Sequence, residues 1–203
     1  MAIIFLFIAA YLIGSFPTSF VMGKLIRGLD IRQYGSGNVG ATNALRVLGT
    51  KIGLFTLLVD IGKGFLTIFL VRKLLPEASN LFFIGIGLTT ILGHIFSIFL
   101  KFKGGKGVAT SAGVFLALTP LALALAFAVF VIVVAITHYV SLGSILAAIT
   151  LLVTELVINL KNSFSQLELL IFVFIVALFI ITMHRSNITR LLAGNENKLS
   201  FKK

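Results

Sequence analysis

The chain has no cysteine and no tryptophan, three prolines, three histidines and only six acidic residues in 203. Without cysteine there are no disulfides, no thiolate nucleophiles and no thiolate metal sites, and the redox compartment stays unspecified. Charge is scarce as well: 11% of residues are charged, against about a quarter in a typical soluble domain. Hydrophobic residues make up 59%, phenylalanine alone numbers 20, and the mean hydropathy is +1.14. A single water-soluble core of this size has no room for so many apolar side chains. The composition therefore excludes a soluble domain and specifies an integral membrane protein.

Lys and Arg number 17, giving a net charge of +11. In a soluble protein that excess would suggest nucleic acid. Here the basic residues stand at the ends of apolar runs, so they read as topology signals and as contacts to the lipid bilayer, with no nucleic-acid partner. A membrane helix needs about 17–25 mostly apolar residues. Residues 2–22, 52–71, 81–100, 121–137, 143–160 and 167–183 form such runs. No Lys or Arg precedes the first, which lacks the positive region of a signal peptide and is expected to stay as an anchor. Residues 108–119, ended by Pro120, form a shorter run that fits either a re-entrant segment or a short helix within the bundle. Counting it as a crossing puts 13 of the 17 basic residues on one side, Lys198, Lys202 and Lys203 among them, and leaves Arg72, Lys73 and Lys161 on the other. This asymmetry predicts an all-α protein of seven transmembrane helices, with the N-terminus outside and the C-terminus cytoplasmic. It also predicts one membrane-embedded domain over residues 1–203, with its chemistry at the cytoplasmic face.

Four polar segments reach that face. The first, GSGNVGATNALRVLG, places Gly35, Gly37 and Gly40 among Ser36, Asn38, Thr42 and Asn43. Such a stretch allows close backbone approach to a ligand. If residues 41–48 are helical, Asn43 and Arg46 share a face. The plain alternative is a flexible turn leading to an interfacial helix, with Arg46 snorkelling to headgroups. The second segment, KFKGGKGVAT, packs Lys101, Lys103 and Lys106 with Gly104, Gly105 and Gly107 ahead of a helix opening at Val108. Glycine-rich amides beside lysine at a helix start suit phosphate; a merely positive-inside loop explains the lysines but not the glycines. It is no nucleotide P-loop, because Gly107 follows Lys106 and Leu100 stands where the first glycine belongs.

The third segment offers Ser141 and Ser144, either of which suits a cap on the next helix. In the fourth, HRSNITRLLAGNENK, His184, Asn187 and Arg190 share a face if the preceding helix continues. A helix-end histidine also suits an interfacial cap, and Glu196 a partner among the nearby Lys and Arg. Within the membrane, Asp60 and Lys63 lie one turn apart and read as a structural pair, and Glu155 lies on a later span. Pro17 should bend the first span, with Gly14, Ser15, Thr18 and Ser19 supporting close packing.

GSFP, GSGNVGATNALRVLG, DIGKG, GHIFSIFLKFKGGKGVAT, SLGS and HRSNITRLLAGNE occur in this order along the chain. The set resembles the acyl-phosphate-dependent glycerol-3-phosphate acyltransferases called PlsY, from the first span to the C-terminal tail; only LSFKK is left unassigned. The resemblance implies a multi-pass enzyme of the bacterial inner membrane. Its reaction moves a fatty acyl group from acyl phosphate to the 1-hydroxyl of sn-glycerol 3-phosphate, giving lysophosphatidic acid and phosphate. It further implies essential roles for Ser36 and Arg46, glycerol 3-phosphate binding at residues 103–107, and important roles for His184, Asn187 and Glu196.

The residues restrict the mechanism. The histidine–aspartate signature of other glycerolipid acyltransferases is absent, since Phe99, Gly143 and Thr189 stand five residues after His94, His138 and His184. No cofactor and no metal are expected: Asp30 and Glu196 are the only acidic residues in the cytoplasmic segments and lie apart. An acyl phosphate is already activated, so positioning and oxyanion stabilisation suffice. Two proton acceptors are open, His184 or a phosphate oxygen of the donor. The lack of a carboxylate placed to tune His184 favours the second. The rival class is a small-anion or organophosphate transporter; no repeat of broken helices marks the two halves. A structural scaffold would leave the clustered glycines unexplained.

Overall fold

The computed structural model describes residues 1–199. Lys202 and Lys203, counted above among the basic residues of one side, lie outside the described residues, as do the last four positions of LSFKK. Helices α1 (Ala2–Ser15), α2 (Thr18–Arg27), α3 (Ala41–Leu48), α4 (Thr50–Leu74), α5 (Asn80–Ile95), α6 (Val108–Leu118), α7 (Pro120–Thr137), α8 (Val140–Lys161), α9 (Leu167–Met183) and α10 (Arg185–Leu192) follow in chain order. The protein is an all-α, multi-pass membrane protein. Among the described residues, four helical stretches are long and apolar enough to cross a bilayer: α4, Asn80–Leu100, α7 and α8. The pairs α1–α2, bent by 44°, and α9–α10, bent by 56°, raise the number to six if each is one broken span. Helix α6 has 11 residues, about 16 Å at 1.5 Å per residue, and is short for a hydrocarbon core of about 30 Å.

The chain divides into two compact units, residues 1–117 and 118–199. In the first, α1 packs along α5 through small residues. A side chain on Gly14 would overlap the Thr90 carbonyl oxygen, and one on Gly93 the carbonyl of Tyr11. Glycine here lets two backbones meet, as interfaces without a hydrophobic driving force require. The Ser15 hydroxyl donates to the Gly93 carbonyl at 3.2 Å and the Tyr11 hydroxyl to that of Phe96 at 2.6 Å. Pro17 breaks the first span where expected, leaving the Ile13 carbonyl only a 3.4 Å bond from the Phe16 amide. Ile31, Val39, Ala44, Leu48 and Leu100 form a small apolar core that joins the first glycine-bearing segment to the start of the second.

In the second unit, α7 and α8 are joined by His138 and Tyr139, with His138 in the left-handed region at φ 63°. Buried Glu155 on α8 accepts from the Thr119 hydroxyl at 2.8 Å and from the Asn159 amide at 3.4 Å. Pro120 opens α7 at a position that needs no amide donor. The last span does not run on past Met183 as a single helix. It bends at His184, so His184, Asn187 and Arg190 do not share the continuous face that the sequence suggested.

Candidate active site

In the first unit, the loop before α3 is organised around Asn43. Its side-chain oxygen accepts the Ser36 amide at 2.8 Å, and its amide nitrogen reaches the carbonyls of Asn38 at 2.8 Å, Tyr34 at 3.1 Å and Ile31 at 3.3 Å. Asn43 is 1% exposed, so its polar groups are spent on folding the loop and not on display to a ligand. A side chain on Gly35 would overlap that same amide. Asn38 accepts from the Gly40 amide at 2.8 Å and so orders the entry to α3. The Ser19 hydroxyl donates to the Val39 carbonyl, tying the loop to α2. Ser36 and Gly37 are exposed on this loop, and Thr42 and Arg46 lie half-buried on α3. Asp30 caps the short turn at residues 31–33 and grips the Arg32 guanidinium at 2.7–3.3 Å. That hydrogen-bonded pair holds the Asp30 carboxyl down at about 2.

The glycine-rich segment is built differently from the amide cradle that its sequence suggested. The Gly104 amide donates to the Ile95 carbonyl and the Gly105 amide to the His94 carbonyl, both at 3.0 Å. Two of the amides expected to cradle a phosphate are thus committed to the end of α5. A side chain on Gly104 would overlap the His94 carbonyl oxygen, and one on Gly105 would overlap the His94 ring. These glycines let the segment lie flat on α5. Lys103 is exposed, Lys106 half-buried, and Gly107 takes φ 82° immediately before α6. Leu100 in the shared core holds this segment and the first loop in one unit.

In the second unit, Glu196 gathers three residues. Its carboxylate accepts from the Asn187 amide at 2.7 Å, the Ser141 hydroxyl at 2.9 Å and the Arg190 guanidinium at 2.8 Å. Burial pushes the Glu196 carboxyl up, but the hydrogen bonds from Asn187, Arg190 and Ser141 outweigh it and hold the group below the usual carboxylate value. Asn187 and Arg190 reach Glu196 from α10. Neither Ser141 nor Ser144 caps α8, which starts at Val140; Ser144 donates to the Val140 carbonyl at 2.9 Å. His184, 3% exposed at the junction of α9 and α10, places Nδ1 2.7 Å from the Ile180 carbonyl. A carbonyl only accepts, so Nδ1 carries a proton. The orienting group is main chain four residues back, for which the sequence had no signal. The His94 carbonyl that holds the Gly105 amide was likewise missed, and Ser19 was read as a helix-packing residue and not as the tie to Val39.

The expected contact between the two is present: Lys63 Nζ lies 2.7 Å from Asp60 Oδ1, both buried.

Residues 4–194 match the glycerol-3-phosphate acyltransferase family. Glycerol-3-phosphate acyltransferases of Staphylococcus aureus strains Newman and JH9 are each 45% identical to the chain over 207 residues, covering 99% of it and 100% of their own length. A crystal structure of PlsY, an integral membrane glycerol 3-phosphate acyltransferase, in its glycerol 3-phosphate form superposes with a TM-score of 0.88 at 38% identity, over 98% of this chain and 96% of that one. The lysophosphatidic acid form gives 0.85 at 37% identity, over 99% and 97%. With both loops and the three partners of Glu196 (Ser141, Asn187 and Arg190) inside the matched residues 4–194, the chain belongs to the glycerol-3-phosphate acyltransferase family.

Proposed function

We infer that the protein transfers a fatty acyl group from acyl phosphate to the 1-hydroxyl of sn-glycerol 3-phosphate, releasing lysophosphatidic acid and phosphate in a bacterial inner (cytoplasmic) membrane. The observation that carries this reading is similarity along 99% of the chain to relatives that bear the name of this enzyme. In this reading α6 is the seventh crossing, the N-terminus is outside, and the reaction occurs at the cytoplasmic face, as the charge asymmetry favours. Residues 1–203 serve as one acyltransferase domain.

Arg46, Lys103 and Lys106 hold substrate phosphates, Arg46 by a two-pronged grip that suits phosphate oxygens. Ser36, Gly37 and Asn38 line the exposed face of the first loop toward substrate, while Gly35 and Asn43 shape it from behind. Thr42, Ser141 and Ser144 contribute hydroxyls to binding, and Gly104, Gly105 and Gly107 set the path of the lysines. His184 and Asn187, the latter fixed by Glu196, orient the glycerol hydroxyl. The hydroxyl oxygen attacks the acyl carbon, the C–O bond to phosphate breaks, and a phosphate oxygen takes the hydroxyl proton. A main-chain carbonyl behind His184 stabilises an imidazolium less than a carboxylate would, which favours the substrate as proton acceptor.

The broken spans α1–α2 and α9–α10 are the feature a transporter reading would draw on, but they stand first in one unit and last in the other and not in corresponding positions, and the two readings are separable. Detergent-solubilised protein should form lysophosphatidic acid from palmitoyl phosphate and glycerol 3-phosphate. Activity confined to sealed vesicles would refute the acyltransferase.

A further inference from the structure

The broken first span leaves two helix ends inside the membrane region, and the Asp60–Lys63 pair engages both. Lys63 donates to the Phe16 carbonyl at the end of α1, where the helix dipole is negative. Asp60 Oδ1 accepts the hydroxyl of Thr18, the first residue of α2, at 3.0 Å, where the dipole is positive. Each charge of the pair thus complements the helix end it touches, and the two are joined to each other at 2.7 Å. A buried ion pair is rarely more stable than apolar residues of the same shape, so stability alone does not account for it.

The surroundings point to what it positions. A small cavity is lined by residues of the break, by Asp60 and His94, by Val39 of the first loop and by Gly104 of the glycine-rich segment. Val39 is held through the Ser19 hydroxyl on α2, one residue beyond Thr18. Gly104 and Gly105 are held by the carbonyls of Ile95 and His94. The direction of α2 therefore fixes where the loop bearing Ser36 and Arg46 lies above the cavity. We propose that Asp60, Lys63 and Thr18 are positioning residues for the acyl transfer: they lock the 44° bend of the first span and so hold the Ser36–Arg46 loop in register with the glycine-rich segment. This rests on the acyltransferase reading above.

The test is steady-state phosphate release from palmitoyl phosphate in detergent, at varied glycerol 3-phosphate, with thermal unfolding of the same preparations. Asp60→Asn, Lys63→Met and Thr18→Val should each raise the KM for glycerol 3-phosphate about tenfold, because displaced phosphate ligands bind more weakly. Thr18→Ser, which keeps the hydroxyl, should return KM to within about twofold of the parent. KM does not depend on the fraction of folded enzyme, so a purely structural pair would lower yield and unfolding midpoint while leaving KM alone. Thr18→Val keeps both charges and carries the test if the charge variants do not fold. A parental KM in folded Thr18→Val overturns the proposal. An inactive parent protein overturns the acyltransferase reading on which it rests.

Discussion

Gly104→Ala is the sharpest probe of how the glycine-rich segment works. Its new Cβ would overlap the His94 carbonyl oxygen and stand 2.7 Å from that of Ile95, both main-chain atoms that cannot swing aside. The segment must lift away from α5, which strains the 3.0 Å bonds from the Gly104 and Gly105 amides. Overpacking of this kind costs about 1–3 kcal/mol, and each main-chain bond lost adds about 1 kcal/mol. With both bonds lost the total is about 3–5 kcal/mol, lowering the unfolding midpoint by several degrees or more. Because Lys103 and Lys106 ride on the same segment, the KM for glycerol 3-phosphate should rise about tenfold as well. Gly28→Ala is the control. Gly28 has φ 65° but nothing within 4 Å of a new Cβ, so it pays only the left-handed backbone penalty of about 1–2 kcal/mol and should keep the parental KM. Phosphate-release kinetics and thermal unfolding in the same detergent decide the matter. A Gly104→Ala protein as stable as Gly28→Ala, with parental KM, would refute the reasoning.

Other outcomes follow from the same contacts. Glu196→Ala removes the acceptor of Ser141, Asn187 and Arg190 and should cost about 2–3 kcal/mol while lowering kcat, read by unfolding and turnover; an unaltered kcat would detach Asn187 from catalysis. Arg46→Lys should lose about tenfold or more in kcat/KM, since a point charge does not reproduce a two-pronged grip. Turnover in excess EDTA should match the untreated enzyme, because Asp30 is engaged by Arg32 and Glu196 by Arg190, leaving neither carboxylate for a divalent ion; activity lost in EDTA and restored by Mg²⁺ would refute this. The Asp30 carboxyl is lowered from 3.8 to about 2 and Glu196 is lowered from 4.5, so both contribute stability above those ordinary values and lose it as pH falls through the folded ones. Unfolding midpoints should therefore drop between about pH 4.5 and pH 2, and Asp30→Asn should flatten the acid end of that curve.

Much of the architecture was legible because it depends on composition and local chemistry. Apolar length located the spans, Pro17 located the first break, and the three-residue spacing of Asp60 and Lys63 made their pairing a local matter. The helix at residues 41–48 and the start of α6 at Val108 were likewise local. What was not legible depends on contacts far apart in sequence or on main-chain groups that carry no residue signature. The bend at His184 has no proline or glycine beside it, so nothing in TMHRSN announced it. Asn43 looked like a ligand group because sequence does not show that four backbone groups of its own loop surround it. Gly104 and Gly105 looked like a phosphate cradle because both uses of glycine, approach to a ligand and approach to a neighbouring helix, leave the same residue in the chain.

The central claim is acyl transfer between two phosphate-bearing substrates, and one measurement addresses it directly. Purified protein in detergent is given palmitoyl phosphate, with and without glycerol 3-phosphate, and both phosphate and lysophosphatidic acid are quantified. The account predicts equimolar phosphate and lysophosphatidic acid, both dependent on glycerol 3-phosphate. Phosphate release that ignores glycerol 3-phosphate, or no lysophosphatidic acid at all, would contradict it.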